Sequence, residues 1–328
     1  MPITNGRLEK EIHELKKISD KIDEMPKVIK DYYYYLEAAE KSYTTIRSYI
    51  NYVVNLMDYC TSGKRNAYFY KHIDSFMMNK YMSSLRYKVG RNGESIKVGN
   101  EIRATRWSAL NNFFAYLKSN NLIANNPMEQ TFRPPCKHDK VVTFLTEQEI
   151  QQCINNVYKN CVQKFRNRDV CIISLGISIG LRVSAITQIN LEDIDLQNNT
   201  IRVVEKGNKY RIMHFGENLK QKLILWLDDR DKYFYDVETD ALFVSRKKNR
   251  MSVSAVEDMI SKYTKDINKH ITPHKLRATC ATNLYKKTGD IYMVADQLGH
   301  ANIATSKIYT EIDHETKLRA ANILDDLI

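Results

Sequence analysis

The sequence of 328 residues predicts a mainly α-helical protein of two domains with one small β-hairpin. Three observations lead to this fold class. Apolar residues recur at helical spacing through most of the chain. Two β-rich runs, 201–205 and 210–215, flank a turn with the sequence Lys-Gly-Asn-Lys at 206–209, which is typical of a tight hairpin. A basic stretch with two adjacent prolines, 131–141, predicts an extended linker between the domains.

The N-terminal segment, 1–26, is predicted to be an amphipathic helix over about 7–24. Its narrow apolar stripe is formed by Leu8, Ile12, Leu15, Ile18 and Ile22. The charges between these positions balance in sign. This favours packing against a partner or the rest of its own domain over contact with a polyanion.

The first domain, 27–130, is predicted to contain four helices. Their apolar spacing places them at about 28–38, 44–59, 73–87 and 98–118. The aromatic residues of these helices are expected in the core rather than as platforms for base stacking. The polar, basic and glycine-rich segment 88–99 is expected to be a loop.

Positive charge is concentrated in this domain. The whole chain carries a formal charge of +11, and residues 51–140 hold fourteen Lys or Arg against six Asp or Glu. That surplus suits a surface that binds a polyanion, although a merely basic, solvated surface has the same composition. Short hydroxyls and long cations near two predicted helix starts suit backbone phosphates, and they make a candidate DNA face of Thr44, Thr45, Arg47, Lys97, Arg103 and Arg106.

The second domain is expected from residue 142. Thr146 and Glu149 form a capping box for its first helix. Arg182 stands in a largely apolar segment, so it needs either a buried salt bridge to an acid such as Glu192 or a bound phosphate. Helices are predicted at about 217–230 and 253–266, with a short strand near 242–245 between them and a last helix at about 314–327.

Candidate reactive residues cluster in the stretch 271–310. Thr272 is predicted to cap a helix that begins with Pro273, which places His274 and Arg277 on one face of its first turn. A phosphate there would meet an imidazole, a guanidinium and the positive end of the helix dipole together. A second helix over about 291–298 is expected to stop at Gly299, followed by His300 and, nine residues later, Tyr309.

The ordered series His274, Arg277, Leu298-Gly299-His300 and Tyr309 resembles the C-terminal signature of the tyrosine recombinases, the family of site-specific integrases and Xer-type recombinases. The string Gly-Leu-Arg-Val-Ser at 180–184 resembles the first arginine motif of that family. The string Glu-Lys-Gly-Asn-Lys-Tyr-Arg at 205–211 resembles its hairpin, whose first lysine is catalytic. The resemblance is strong over 180–310 and looser over 28–130.

The resemblance implies a helical, SAM-like core-binding domain at 27–130 and an α+β catalytic domain at 142–328, which form a clamp around double-stranded DNA. It implies a catalytic set of six residues: Arg182, Lys206, His274, Arg277, His300 and the nucleophile Tyr309. Tyr309 would form a 3′-phosphotyrosyl bond and release a 5′-hydroxyl. The two arginines would hold the non-bridging phosphate oxygens. His274 would assist or act as base, Lys206 would protonate the leaving oxygen, and His300 would bond the phosphate.

The same resemblance implies a homo-tetramer on two DNA sites that exchanges its C-terminal helix, 314–328, and works through a Holliday junction. No nucleotide cofactor is expected, because the covalent link conserves the bond energy. No metal is expected, because two permanent cations carry the charge. Two positions depart from the common family pattern: Ala185 stands in place of an acid and Ala278 in place of a histidine.

Two other functions share much of this sequence pattern. A type IB topoisomerase uses similar chemistry to relax DNA without pairing two sites, and a non-catalytic DNA-binding regulator is possible on the same scaffold. The paired N-terminal domain and C-terminal tail favour recombination, and the intact set of six favours an enzyme. Chromosome-dimer resolution, integration or excision of a mobile element, and inversion all remain open as roles.

Several function classes are disfavoured by the composition. No apolar run reaches the length of a membrane span, and the N-terminus has no signal-peptide core, so a soluble, cytoplasmic protein is expected. The six cysteines form no C-x-x-C pair, which predicts unpaired thiols rather than a zinc site. Neither a glycine-rich phosphate loop nor a carboxylate cluster typical of a two-metal nuclease is present.

Overall fold

In a computed structural model, the chain divides into two compact units, Met1–His138 (unit 1) and Asp139–Ile328 (unit 2). The structure describes residues 14–19, 21–64, 66–90, 92–136, 142–204, 210–299 and 303–306. The described residues are mostly helical with two small antiparallel sheets, which confirms the predicted fold class. None of their helices is both long enough and apolar enough to cross a membrane.

Unit 1 contains four of the described α-helices. They are α1 (Lys27–Ala38), α2 (Tyr43–Thr61), α3 (Ser75–Ser84) and α4 (Asn100–Ser119), with 3-10 turns at Phe69–His72 and Pro127–Gln130. The chain is also helical at 14–19 and 21–22, where Ile18 and Ile22 are buried in the core of unit 1. The described part of the N-terminal helix therefore packs on its own unit.

Aromatic side chains fill the core of unit 1. Tyr32, Phe113 and Phe114 have no exposed surface. The Tyr32 hydroxyl donates a hydrogen bond of 2.7 Å to Asn112 Oδ1, so a polar group is satisfied beside the apolar ring. The prediction that these rings form the core is confirmed.

The prediction of a loop at 88–99 was wrong, and so was the helix to residue 87. A short hairpin, β1 (Tyr87–Val89) with β2 (Ser95–Lys97), occupies this segment. All six of its residues are exposed. A hairpin with no buried face does not need the apolar alternation by which a strand is recognised in a sequence.

Unit 2 combines seven described α-helices with a three-stranded sheet. The helices are α5 (Glu147–Asn160), α6 (Gln163–Ser178), α7 (Val183–Gln188), α8 (Glu217–Tyr233), α9 (Val253–Thr264), α10 (Pro273–Thr288) and α11 (Ile291–Leu298). The strands are β3 (Ile194–Asp195), β4 (Thr200–Val204) and β5 (Tyr210–His214), in the order β3-β4-β5. Short 3-10 turns lie at Leu191–Asp193 and Ile303–Thr305. The predicted capping box of Thr146 and Glu149 is present.

The strand predicted near 242–245 was wrong. Only isolated bridges, Asn190 with Ala241 and Val244 with Arg250, occur at this segment in the described part of the chain. Side-chain donors occupy backbone carbonyl oxygens that a neighbouring strand would otherwise bond. Arg230 donates to the Ala241 oxygen at 3.2 Å, Trp226 to the Leu242 oxygen at 3.0 Å and Arg168 to the Val244 oxygen at 2.7 Å. Three side-chain donors thus satisfy carbonyl oxygens of this buried segment, and isolated backbone bonds, such as the one of 3.0 Å from the Met251 N–H to the Phe243 oxygen, satisfy others.

The segment 142–145, here called the strap, crosses helix α10. Val142 packs in a small apolar cluster with Ala278, Ala281, Val294 and Leu298. The buried Leu145 N–H donates to Thr279 Oγ1 at 2.9 Å. The strap, which precedes α5 in the chain, therefore packs against both α10 and α11.

Candidate active site

Arg277 lies at the centre of the candidate site. It projects from the first turns of α10 and is only 5% exposed. Nη1 donates to the Gly180 carbonyl oxygen at 2.5 Å, and Nη2 donates to the Leu298 carbonyl oxygen. One guanidinium therefore joins three segments: α10, the turn that precedes Arg182, and the last turn of α11 that precedes His300.

His274 is exposed one turn before Arg277 on the same helix. A spacing of three residues places both on one face, as predicted. Pro273 occupies the start of the helix, but the Thr272 side chain makes no capping hydrogen bond, so that detail of the prediction was wrong. His274 is thus open to solvent where Arg277 is enclosed.

Arg182 stands at the N-cap of α7 and is half-buried. Two residues earlier, Gly180 has φ +69°, in the left-handed region that favours glycine. A Cβ atom there would lie 2.7 Å from Leu298 Cδ2, so Gly180 also permits close approach of α11. Glu192, suggested by the sequence as a salt-bridge partner for Arg182, pairs with Arg202 at 3.1 Å.

The last turn of α11 is anchored to the same turn. Gln297 Nε2 donates to the Ile179 carbonyl oxygen at 3.2 Å. Gly299, with φ +62°, ends the helix as predicted. The segments that carry Arg182 and Arg277 and the residue before His300 therefore meet at one place in unit 2.

Three of the six predicted catalytic residues, Lys206, His300 and Tyr309, lie outside the described residues, as does the C-terminal segment 314–328. The strands that bracket the Lys206 turn are described. β4 and β5 pair antiparallel in the register Val204 with Tyr210 and Val203 with Arg211, as a hairpin requires.

Three residues of the site were missed or only partly recognised from the sequence. The sequence places Gly180 in a motif but does not indicate its left-handed backbone conformation. Arg211 on β5 donates to the Asp296 carbonyl oxygen, and Gln297 bonds Ile179. Their partners are 85 and 118 residues away in the chain, and no local pattern signals such pairs.

Burial makes Cys280, which faces this turn from α10, unsuited to act as a nucleophile. Its Sγ donates to the Ser178 carbonyl oxygen at 3.7 Å, and burial raises the pKa of the thiol to about 11. A thiol with that pKa stays protonated near neutral pH. Cys280 is therefore a packing residue.

The candidate DNA face lies on unit 1, where two groups of residues occupy neighbouring elements. Thr44, Thr45 and Arg47 lie in the first turns of α2, and Arg47 Nη1 pairs with Glu14 Oε2 at 2.8 Å. The helix is capped by Ser42, whose side chain accepts from the Thr45 N–H at 3.4 Å. The amide of Thr45 is therefore already engaged by the protein.

The second group begins at the exposed Lys97 on β2 and continues along α4. Arg103 Nη2 donates to the Met82 carbonyl oxygen at 3.1 Å, and burial, then the nearby charge of Arg86, lower its pKa. The Arg106 guanidinium lies 5.5 Å from the ring centroid of Tyr52 on α2. Arg106 thus links α4 to α2 and brings the two groups to adjacent helices.

Residues 143–316 match the sequence profile of the phage integrase family, more than half of the chain. The chain belongs to the phage integrase family. Its similarity to curated relatives extends over most of their length. Tyrosine recombinase XerC of Histophilus somni is 32% identical over 220 residues, which is 65% of this chain and 70% of that protein. Tyrosine recombinase XerS of Streptococcus uberis is 28% identical over 354 aligned positions, gaps included, and the match covers 95% of this chain and 98% of that protein.

A solved structure has the same fold as this integrase-family chain. XerH site-specific recombinase bound to palindromic difH substrate, in a post-cleavage complex, superposes with a TM-score of 0.66 at 24% identity. The match covers 88% of this chain and 82% of XerH. The assignment to the tyrosine recombinases is confirmed, and the chain is a site-specific DNA recombinase.

Proposed function

We propose that this recombinase cuts and rejoins DNA strands through a covalent 3′-phosphotyrosyl bond to Tyr309. The supporting observation is the buried guanidinium of Arg277, which ties the turn before Arg182 to the turn before His300. Because phosphoryl transfer depends on positioned positive charge, a site that gathers these segments suits that chemistry.

The proposed reaction is an in-line displacement at phosphorus. The Tyr309 oxygen bonds to phosphorus as the phosphorus–5′-oxygen bond breaks, and rejoining reverses both changes. The phenolic proton leaves through His274, whose exposed imidazole lies beside the solvent. Lys206 supplies a proton to the 5′ oxygen. Arg182 and Arg277 stabilise the non-bridging oxygens with His300, which donates a further hydrogen bond.

We assign DNA binding to both units. Unit 1 holds the core-binding domain, 27–130, with its face formed by Thr44, Thr45, Arg47, Lys97, Arg103 and Arg106, and residues 142–328 form the catalytic domain. The adjacency of α2 and α4 through Arg106 and Tyr52 supports a single continuous face. The two domains, joined by the linker 131–141, clamp double-stranded DNA.

The proposed assembly is a homo-tetramer on two DNA sites that exchanges the segment 314–328 and passes through a Holliday junction. Leu318, Ile323, Leu324 and Leu327 give that segment an apolar stripe. Removal of 315–328 is expected to leave binding to one site intact and to abolish pairing of two sites. An unfolded or much less stable truncated monomer would instead show that the segment belongs to its own core.

The deciding experiment traps the covalent complex on a nicked suicide DNA, from which the short fragment that bears the new 5′-hydroxyl diffuses away. Wild-type protein is expected to form a complex that survives denaturing electrophoresis. Tyr309→Phe is expected to bind the DNA equally well and to form none, because only the nucleophilic oxygen is removed. Tyr235→Phe, at a tyrosine that is 84% exposed, is the matched control and is expected to react at the wild-type rate.

A covalent complex in Tyr309→Phe at the normal rate would remove Tyr309 from its role. A wild-type protein that binds but never forms the complex would be a regulator rather than a recombinase. Two-site recombination on a paired substrate then separates strand exchange from simple relaxation of supercoils, the activity of a type IB topoisomerase.

A further inference from the structure

The last turn of α11 is held by side-chain hydrogen bonds from three directions. The carbonyl oxygen of Asp296 accepts from Arg211 on β5. Gln297 donates to Ile179 in the turn before Arg182. The carbonyl oxygen of Leu298 accepts from Arg277 on α10. Three consecutive residues are therefore each tied to a different element of the candidate site.

This turn needs such external bonds. Helix α11 has only eight residues, too short to be stable alone. Carbonyl oxygens of a last helical turn lack the usual i+4 donors, and the Asp296 oxygen accepts from the Gly299 N–H at 2.9 Å as well as from Arg211. Its apolar residues Val294 and Leu298 are fixed by the cluster that contains Val142. The carbonyl oxygens of this turn are positioned by the side chains that donate to them. Among the described residues, Arg211 on β5 donates from the sheet and Arg277 donates from α10.

Arg211 is built into the sheet rather than extended from a loop. It pairs with Val203, which is 2% exposed, so both side chains lie on the inward face of the hairpin. Its own side chain is 22% exposed, and Nη2 also lies 3.6 Å from Asp296 Oδ2. The guanidinium thus contacts both the backbone and the carboxylate of one residue.

We infer that Arg211 is a positioning residue for strand cleavage: it locks the last turn of α11 to strand β5 of the hairpin. The same turn provides the Leu298 oxygen that holds one arm of Arg277. If the turn shifts, Arg277 loses that bond. The inference rests on the proposed function, in which Arg277 and Lys206 act on one phosphate.

The test compares Arg211→Met, Arg211→Lys and the matched control Arg202→Met. Arg202 lies on the neighbouring strand and bonds Asp193 at 2.7 Å and Glu192 at 3.1 Å, so its loss removes a similar ionic contact without touching α11. Two measurements are made at a temperature where circular dichroism shows every variant fully folded. One is amide hydrogen exchange over 291–299 in the DNA-free protein, and the other is single-turnover cleavage of suicide DNA at saturating protein.

Arg211→Met is expected to speed exchange in the last turn of α11 and to slow cleavage by between about tenfold and about 100-fold, as a misplaced group does. Its DNA affinity is expected to stay within about twofold of wild type, because Arg211 bonds Asp296 within unit 2 and is not among the residues proposed to contact DNA. Arg211→Lys is expected to recover part of the cleavage rate, since lysine keeps the positive charge but lacks the paired N–H donors of the guanidinium. Arg202→Met is expected to leave both exchange in α11 and cleavage near wild type.

Equal cleavage rates for Arg211→Met and Arg202→Met, or unchanged exchange in α11, would overturn the inference. A loss of DNA affinity in Arg211→Met that matches its loss of rate would do the same, because a positioning residue acts on the bound complex. If wild-type protein forms no covalent complex, the proposed function fails, and the exchange comparison still decides whether Arg211 locks the turn.

Discussion

The Arg277 guanidinium and the Gly180 carbonyl oxygen are joined by a hydrogen bond of 2.5 Å that spans 97 positions of the chain. Gly180 precedes Arg182 by two residues, so the backbone at one proposed phosphate-binding arginine is fixed by the side chain of the other. The two arginines are consequently not independent, and the effects of replacing them are not expected to add.

Gly180→Ala tests the close approach of this turn to α11. The new Cβ would lie 2.7 Å from Leu298 Cδ2 and 3.2 Å from Cys280 Sγ. We expect a loss of about 1–3 kcal/mol in the free energy of unfolding, beyond the cost of a positive φ, as for overpacked sites. Cleavage of suicide DNA should also slow. Urea unfolding measured at several wavelengths checks the first expectation.

Gly289→Ala is the matched control for this prediction. Gly289 has φ +68°, nearly the same as Gly180, but no atom lies within 4 Å of the Cβ position. The loss of unfolding free energy in Gly289→Ala therefore measures only the cost of placing alanine at a positive φ. Equal losses in the two variants would show that contact with Leu298 does not matter.

Local patterns in the sequence were sufficient for several of the helices and for most of the site segments, but they did not predict α6 or α7. The capping box at Thr146, the helix stop at Gly299 and the apolar spacing of α4 are all readable over a few residues, and the structure has each of them. The adjacency of His274 and Arg277 also follows from helical spacing alone. Their role as a pair remains a prediction.

Contacts between distant segments were not readable. Nothing near Arg211 or Gln297 indicates the carbonyl oxygens that they bond, because those partners are set by how α6, α11 and the sheet pack. The strand expected at 242–245 failed for the same reason. Its residues have strand-like side chains, but Arg168, Trp226 and Arg230 reach the backbone from other helices.

Lys206→Ala is expected to slow cleavage of ordinary DNA strongly and to slow cleavage of DNA with a 5′-bridging phosphorothiolate much less. A sulfur leaving group hardly needs a proton, so loss of a general acid is masked on that substrate. The measurement is the rate of covalent-complex formation on both DNAs. Lys209→Ala is the control from the same turn. Equal slowing of Lys206→Ala on both substrates would assign the acid role elsewhere.

Lys97→Gln is expected to flatten the salt dependence of DNA binding. Each lost phosphate contact lowers the slope of log K against log salt by about one. Lys97 is the sharpest test of the face because Arg103 and Arg106 also make contacts within unit 1. Titrations at four or more salt concentrations give the slope.

Lys118→Gln is the control for the salt titration. Its Nζ pairs with Glu129 at 2.8 Å near the C-terminal end of α4, away from the start of that helix. The slope of this variant is expected to match wild type. A Lys97→Gln slope that also matches wild type would place the DNA face elsewhere on the protein.

Alkaline pH is expected to destabilise the protein through thiols whose pKa is raised, namely the buried Cys153 and Cys280 and the half-buried Cys60. Burial raises the pKa of Cys60, Cys153 and Cys280 to about 11, whereas a thiol in the unfolded chain ionises near about 8.5. Below that lower value both states keep the proton, so the free energy of unfolding is unaffected. Above it only the unfolded state loses protons, and stability is lost progressively toward the folded pKa.

Urea unfolding between about pH 7.5 and about pH 10 measures this loss. Cys280→Ala, which removes one of the raised pKa values, should show a shallower decline. A free energy of unfolding that stays level or rises across that range would contradict the assignment of these thiols as protonated.

The strap, the segment that precedes α5, contacts the helix that carries Arg277. Val142 is seated against Ala278, next to Arg277, and Leu145 is bonded to Thr279, two residues beyond Arg277. A displacement of residue 142 is therefore expected to act first on the helix that carries His274 and Arg277, and only afterwards on α5.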